Sequence, residues 1–217
     1  EMDGDMVRAQ INCLFEDIDI SAVKIGMVSS IEVIETIADC LQKRGAVNIV
    51  VDPVMISKSG CHLLKPESKD ALVKNLFPLA EVVTPNLFEA EVITGDKINN
   101  VEEMETAAVK IHELGSRNVI VKGGHLTGDA IDVLYDGDKF TYLKGKRINT
   151  HNTHGTGCTF SSAIAAYLAQ GYSVGEATRK AKQYINMAIE NSIQLGHGSG
   201  PTHHFYELYR KAGVLND

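Results

Sequence analysis

The chain is 217 residues long, 44% hydrophobic and 23% charged, with a formal net charge of −7. Such a chain can bury one substantial core, and its acidic balance excludes the basic footprint of a nucleic-acid-binding domain. The cysteines Cys13, Cys40, Cys61 and Cys158 form no C-x-x-C pair, so reduced cytosolic thiols are expected rather than a metal or disulfide framework, and no run of about 18 apolar residues marks a membrane span.

The first predicted element is a helix over Asp5–Phe15, with no strand before it. A doubly wound sheet normally starts on a central strand, so an amino-terminal piece is expected to precede this sequence. Short β-branched runs then alternate with longer helical patterns. Strands are predicted over Ala22–Gly26, Asn48–Val54, Glu81–Thr84 and Asn118–Lys122, and helices over Ser30–Arg44, Pro66–Leu76, Asn86–Thr94 and Val101–Leu114. That alternation predicts βαβ units, giving a mostly parallel sheet with helices on both faces. The segment Ile131–Ile148 breaks the rhythm. Asp132–Tyr135, the turn Asp136-Gly137-Asp138 and Lys139–Leu143 read as a hairpin that adds antiparallel strands to one edge. Helices follow over Gly157–Gln170, Val174–Leu195 and, shorter, near Thr202–Ala212. No repeat or linker interrupts the chain, so residues 1–217 are expected to form a single domain.

In open α/β sheets, ligands bind outside the carboxyl ends of the strands. That rule directs attention to Asp52-Pro53, Thr84-Pro85-Asn86 and Lys122-Gly123-Gly124. The turn Gly155-Thr156-Gly157-Cys158 is the other candidate. Its glycines allow a tight turn and a close ligand, and the first amides of the helix it opens have no intrahelical partners. Those amides make an anion hole suited to a phosphoryl group in transfer, with Cys158 placed to act as a base on a substrate hydroxyl. A purely structural glycine turn before a helix reads the same way. Neither a Walker G-x-x-x-x-G-K-[ST] nor a complete G-x-G-x-x-G occurs, which disfavours a P-loop enzyme and a dinucleotide oxidoreductase.

Asn86 and Glu89, three apart, share one face of a first helical turn. Together they suit water-coordinated Mg²⁺, or a capping arrangement with Asn86 as N-cap; the two roles can coexist. Asp52 is placed for a cation or for a turn-forming Asp-Pro. The loop Ser57-Lys58-Ser59-Gly60 is polar enough to close over a ligand, or to be plain surface. Lys122 is either a point charge for a phosphate or a solvated strand-end lysine. His197, His203 and His204 lack zinc-site spacing.

Taken together, Val23-Lys24-Ile25-Gly26-Met27, Val51-Asp52-Pro53-Val54-Met55, Thr84-Pro85-Asn86-Leu87-Phe88-Glu89-Ala90-Glu91, Val121-Lys122-Gly123-Gly124-His125, Asn152-Thr153-His154-Gly155-Thr156-Gly157-Cys158-Thr159 and Gly196-His197-Gly198-Ser199-Gly200-Pro201 resemble the ribokinase-like superfamily. Within it they are most similar to the hydroxymethylpyrimidine/phosphomethylpyrimidine kinases of thiamine biosynthesis, in the family's order over nearly the whole chain. The resemblance implies a ribokinase-like three-layer α/β/α sandwich. It also implies an ATP- and Mg²⁺-dependent phosphotransferase acting on 4-amino-5-hydroxymethyl-2-methylpyrimidine and its monophosphate, cytoplasmic and homodimeric. Carried over by position, Cys158 is the catalytic base, and Gly155, Thr156 and Gly157 complete the anion hole. Asn86 and Glu89 match an N-x-x-E metal-phosphate motif, with Thr84 and Lys122 on the nucleotide side and Asp52 beside the metal. Met27 and Val54 line the pyrimidine pocket.

The family's amino-terminal G-S-D-x-S-G-G-A-G-I-Q-A-D stretch and T-x-x-x-Q-N region do not occur here, so the resemblance implies weak substrate binding by these 217 residues alone. Pyridoxal kinases of the same branch are the close alternative. Those relatives tend to carry a cysteine just after D-P-V-M, where this chain has Ile56-Ser57-Lys58-Ser59-Gly60 before Cys61. A non-catalytic, nucleotide-sensing relative is the third reading, against which Cys158, Glu89 and Asp52 together argue.

Overall fold

Four runs of β-branched residues form the parallel part of a six-stranded sheet: β1 (Val23–Ile25), β2 (Ile49–Val51), β3 (Val82–Val83) and β4 (Val119–Val121). The computed structural model describes residues 2–55, 64, 67–124, 126 and 130–214. A hairpin follows, β5 (Ala130–Tyr135) and β6 (Phe140–Gly145). It pairs antiparallel onto β4, through Val121↔Val133, and onto itself. Neighbouring strands lie in sequence order across the sheet, from β1 to β6. This is the expected α/β sandwich with an antiparallel edge hairpin.

Strand alternation sorts the core into two layers, because successive side chains point to opposite faces. Ile25, Ile49, Val51, Val83, Val119, Val121 and Val133 pack on one face. Covering them are α2 (Ile31–Lys43), α3 (Ser68–Leu76) and α5 (Val101–His112), through Ile34, Leu41, Leu72, Leu76, Met104 and Ile111. Val50, Val82, Ile120 and Leu134 point the other way, against α6 (Thr156–Ala169) and α7 (Val174–Glu190). The helix α1 (Gly4–Asp17) lies on α2, α4 (Leu87–Thr94) follows β3, and α8 (Tyr206–Lys211) ends the described chain.

Helix starts follow local chemistry. Asp3, Ser30, Asn86, Asn100 and Ser173 each accept a first-turn amide with the side chain, as N-caps do. Two boundaries differ from expectation. The helix predicted to Leu195 stops at Glu190, with Asn191 as its C-cap, because the Ile193 amide instead donates to Pro201 O at 3.2 Å. The last helix begins at Tyr206, since the His203 amide is drawn to Ala188 O at 2.8 Å. Pro66, the loop Ser57–Gly60, Cys61 and His125 lie outside the described residues. No helix among the described residues is long and apolar enough to cross a membrane.

Candidate active site

Parallel register brings three strand ends together. Val51 pairs with Val83, so Asp52 and Thr84 leave the sheet side by side; Lys122 meets them through the bridge Asn86↔Lys122 and its amide bond to Pro85 O at 2.9 Å. Lys122 Nζ donates to Asp52 Oδ1 at 2.8 Å, and Thr84 Oγ1 donates to the same oxygen at 3.2 Å. Ser161 Oγ, from the second turn of α6, donates to Asp52 Oδ2 at 3.3 Å. Asp52 is 2% exposed and Thr84 is fully buried. Lys122, its side chain 15% exposed, is therefore a largely buried ion-pair partner and not a solvated strand end. Burial alone would lower its pKa, but the carboxylates of Asp52 and Glu89 outweigh that and raise it.

Asn86 and Glu89 form a complete capping box: Glu89 N donates to Asn86 Oδ1 at 2.9 Å and Asn86 N to Glu89 Oε2 at 2.7 Å. Only one carboxylate oxygen is used by the cap. Glu89 is 3% exposed, and burial pushes its carboxyl up to about 7 against the opposing pull of Lys122. The capping and ligand readings of this pair are compatible, because a buried carboxyl short of positive charge is also a hard oxygen donor for a cation.

The glycine turn stands directly over this cluster. Gly155 adopts φ 80°, a left-handed conformation that suits glycine. As N-cap it offers no side chain to the first-turn amides of α6, whose positive end stays available to an anion. Gly157 faces the ion pair so closely that a methyl group on it would stand 3.4 Å from Lys122 Nζ and 3.9 Å from Asp52 Oδ2. Cys158 is exposed and borders a cavity of about 530 Å³ that follows α6, lined also by Thr159, Ser162, Tyr167, Tyr184 and His204. Thr156 Oγ1 donates to Thr153 O at 2.9 Å, closing the turn on itself.

Met27 and Val54 follow β1 and β2 at the same edge of the sheet. Met27 is 60% exposed and Val54 half-buried, and neither lines the cavity beside Cys158. Among the described residues, no group of three or more His, Cys, Asp or Glu could by itself hold a metal ion. An ion here would depend on water and ligand oxygens as well.

Three supports were not anticipated from sequence. Ser161 lies four residues after Gly157, on the same face of α6, a spacing that was available to find it. Asn152 is 5% exposed; its side chain accepts the Gly200 amide at 3.1 Å and donates to Gln194 at 3.0 Å. His154 N in turn donates to Gly200 O at 3.1 Å, so the glycine-rich carboxyl-terminal segment is tied to the approach of the Gly155 turn. Asp132 and Lys182 form a second, largely buried ion pair at 2.7 Å. Its signal was a charged residue in the buried register of a hairpin strand.

An α/β/α sandwich with a glycine-capped helix start above a strand-end acid, a lysine and N-x-x-E residues is the arrangement expected of a phosphoryl-transfer protein. The chain belongs to the phosphomethylpyrimidine kinase family, whose model matches residues 1–203. It is 47% identical over 214 residues to the hydroxymethylpyrimidine/phosphomethylpyrimidine kinase of Rhizobium meliloti, covering 97% of this chain and 80% of that protein. It is 48% identical over 199 residues to the thiamine biosynthesis bifunctional protein ThiED of Geobacter sulfurreducens, covering 91% of this chain but only 41% of that longer protein. Among solved structures it resembles the pyridoxal kinase of Bacillus subtilis in its ADP complex, with a TM-score of 0.88 and 42% identity, covering 95% of this chain and 78% of that one.

Proposed function

We propose that this protein transfers the γ-phosphoryl group of ATP to the hydroxymethyl group of 4-amino-5-hydroxymethyl-2-methylpyrimidine, and then to the resulting monophosphate. The observation that carries the reading is the position of Lys122 Nζ, 3.4 Å from where a methyl group on Gly157 would stand, beneath the start of α6, whose N-cap Gly155 has no side chain. A phosphoryl group placed there meets backbone amides from one side and an ammonium from the other as its charge redistributes.

In the first transfer the Cys158 sulfur takes the hydroxyl proton, and the freed oxygen forms the new bond to the γ-phosphorus. The bond from that phosphorus to the β–γ bridging oxygen breaks, and ADP leaves with the electron pair. Thr84 and Asp52 hold Lys122 in place for the nucleotide phosphates. Gly155 and Thr156 shape the anion hole. Asn86 orients Glu89 by the reciprocal cap. Asp52 and Glu89 are the residues that would hold Mg²⁺, which supplies neutralisation of phosphate charge when bound. Met27 and Val54, at the neighbouring strand ends, are assigned to the pyrimidine side. A homodimer belongs to this reading, and sedimentation of the full-length protein checks it.

A second reading, phosphorylation of pyridoxal, is favoured by the 42% identity and TM-score of 0.88 to a pyridoxal kinase. Parallel turnover assays with the pyrimidine, its monophosphate and pyridoxal distinguish the two. The pyrimidine pair should show the higher kcat/KM. A pyridoxal preference of about tenfold or more would overturn the pyrimidine assignment, and nucleotide binding without turnover of any of the three would leave a sensing role instead.

A further inference from the structure

We propose that Asp132 is a positioning residue for the nucleotide side of the site, its carboxylate fixing the turn Lys122-Gly123-Gly124 by taking the Gly123 amide. This rests on the kinase reading above.

Along β5, Asp132 shares the face of Leu134, which packs in the α6–α7 core, and it is 5% exposed. A carboxylate in that register is costly to desolvate unless it is well paired, so an apolar side chain would be the simpler occupant. Asp132 is paired on both oxygens. Oδ2 receives Lys182 Nζ from α7 at 2.7 Å, and Oδ1 receives the Gly123 amide at 3.1 Å. The β4–β5 ladder ends at Val121↔Val133; past it, a side chain takes over from the backbone in deciding where the chain turns. The fit is tight, because a methyl group on Gly123 would lie 2.0 Å from Ile131 O. From the other side Arg147 donates to Gly124 O at 3.1 Å and to Leu126 O. Lys122 is therefore followed at once by a backbone held from two directions, and its own Nζ meets Asp52. The Asp132 charge also favours the protonated form of Lys122.

A mere fastener between α7 and β5 would need Asp132 and Lys182 but not the bond to Gly123. Two paired substitutions in the full-length protein separate these roles. Asp132→Asn with Lys182→Gln removes both charges and keeps an acceptor for Gly123. Asp132→Leu with Lys182→Leu fills the space and removes the acceptor. The first pair should keep the KM for ATP within about twofold, whereas the second should raise it at least about fivefold with the KM for the phosphoryl acceptor unchanged. An ATP KM unchanged in the leucine pair, or both KM values rising together, overturns the proposal. If the leucine pair does not fold, the wild-type protein still decides. ADP should slow amide exchange at Gly123 and Gly124 by about fivefold or more, and no change refutes the role of Asp132. Calorimetry with ADP on the wild type is run alongside. A protein that binds no ADP refutes the kinase reading itself, while ADP binding with an unmoved ATP KM in the leucine pair refutes Asp132 alone.

Discussion

Replacing Glu89 by glutamine should make the protein more stable at pH 8 and leave its stability at pH 4.5 little changed. Glu89 is 3% exposed, and burial lifts its carboxyl to about 7 from an ordinary 4.5. The folded state therefore holds a proton that the unfolded chain has already released. Between pH 4.5 and 7 the folded form binds more protons than the unfolded form, so stability falls as pH rises through that window. Above it the full cost is present, about 3 kcal/mol at about 1.4 kcal/mol for each tenfold in the equilibrium. Glutamine has the same shape and can still accept the Asn86 amide, which lies 2.7 Å from Glu89 Oε2, but it carries no charge to desolvate. For a chain of this size 1 kcal/mol moves Tm by about 2–4 °C, so a gain of roughly 6–12 °C is expected at pH 8. Thermal melts of both proteins from pH 4.5 to 8 measure it, with turnover followed in parallel. Activity should fall as stability rises, because the proposed mechanism assigns Glu89 to the metal and phosphates. A Tm difference that is the same at both ends of the pH range, or a loss of Tm at pH 8, would refute the reasoning.

Gly157→Ala should leave Tm unchanged or slightly higher, since alanine favours a helix over glycine by up to about 1 kcal/mol. Its methyl group would stand 3.4 Å from Lys122 Nζ, in space assigned to a phosphoryl oxygen, so steady-state assays should show kcat/KM reduced at least about tenfold. Lys122→Met leaves Asp52 buried at 2% exposure with, among the described residues, the Thr84 and Ser161 hydroxyls as its side-chain partners. Urea unfolding should show a loss of about 3–5 kcal/mol, most of it restored by adding Asp52→Asn. Cys158→Ala should barely move Tm, because the side chain is exposed, while turnover falls by about 10²–10⁴ as expected for loss of a general base. Unchanged turnover would remove Cys158 from the mechanism.

Much of the architecture was legible because its causes are local. Continuous β-branched runs at 49–51, 82–83 and 119–121, buried at every position, are satisfied as strands covered by helices on both faces. The Asn86–Glu89 spacing encodes its own capping box, since the bonding partners lie three residues apart. The change of pattern at the Gly137 turn likewise announced the antiparallel hairpin.

The assembled site depends on longer distances. Lys122 and Asp52 are 70 residues apart in the chain, and their pairing follows from sheet register, which no short window contains. Sequence alone left Lys122 open between a solvated strand end and a point charge for a phosphate; its ion pair with Asp52 at 2.8 Å, 15% exposed on the lysine side, removes the solvated reading. Ser161 and Asp132 were passed over for the same reason. A serine in a small-residue helix and an aspartate in a hairpin gain their roles only when α6 and β5 bring them to Asp52 and Gly123. Helix and strand identity, caps and turn glycines are determined by bonds within a few residues, and the sequence was sufficient for them. Which strand ends meet, and which charges are buried together, is decided by the packing of α6 and α7 onto the sheet. Only the tertiary structure holds that information, because electrostatic neighbours in a desolvated site are set by spatial and not by chain distance.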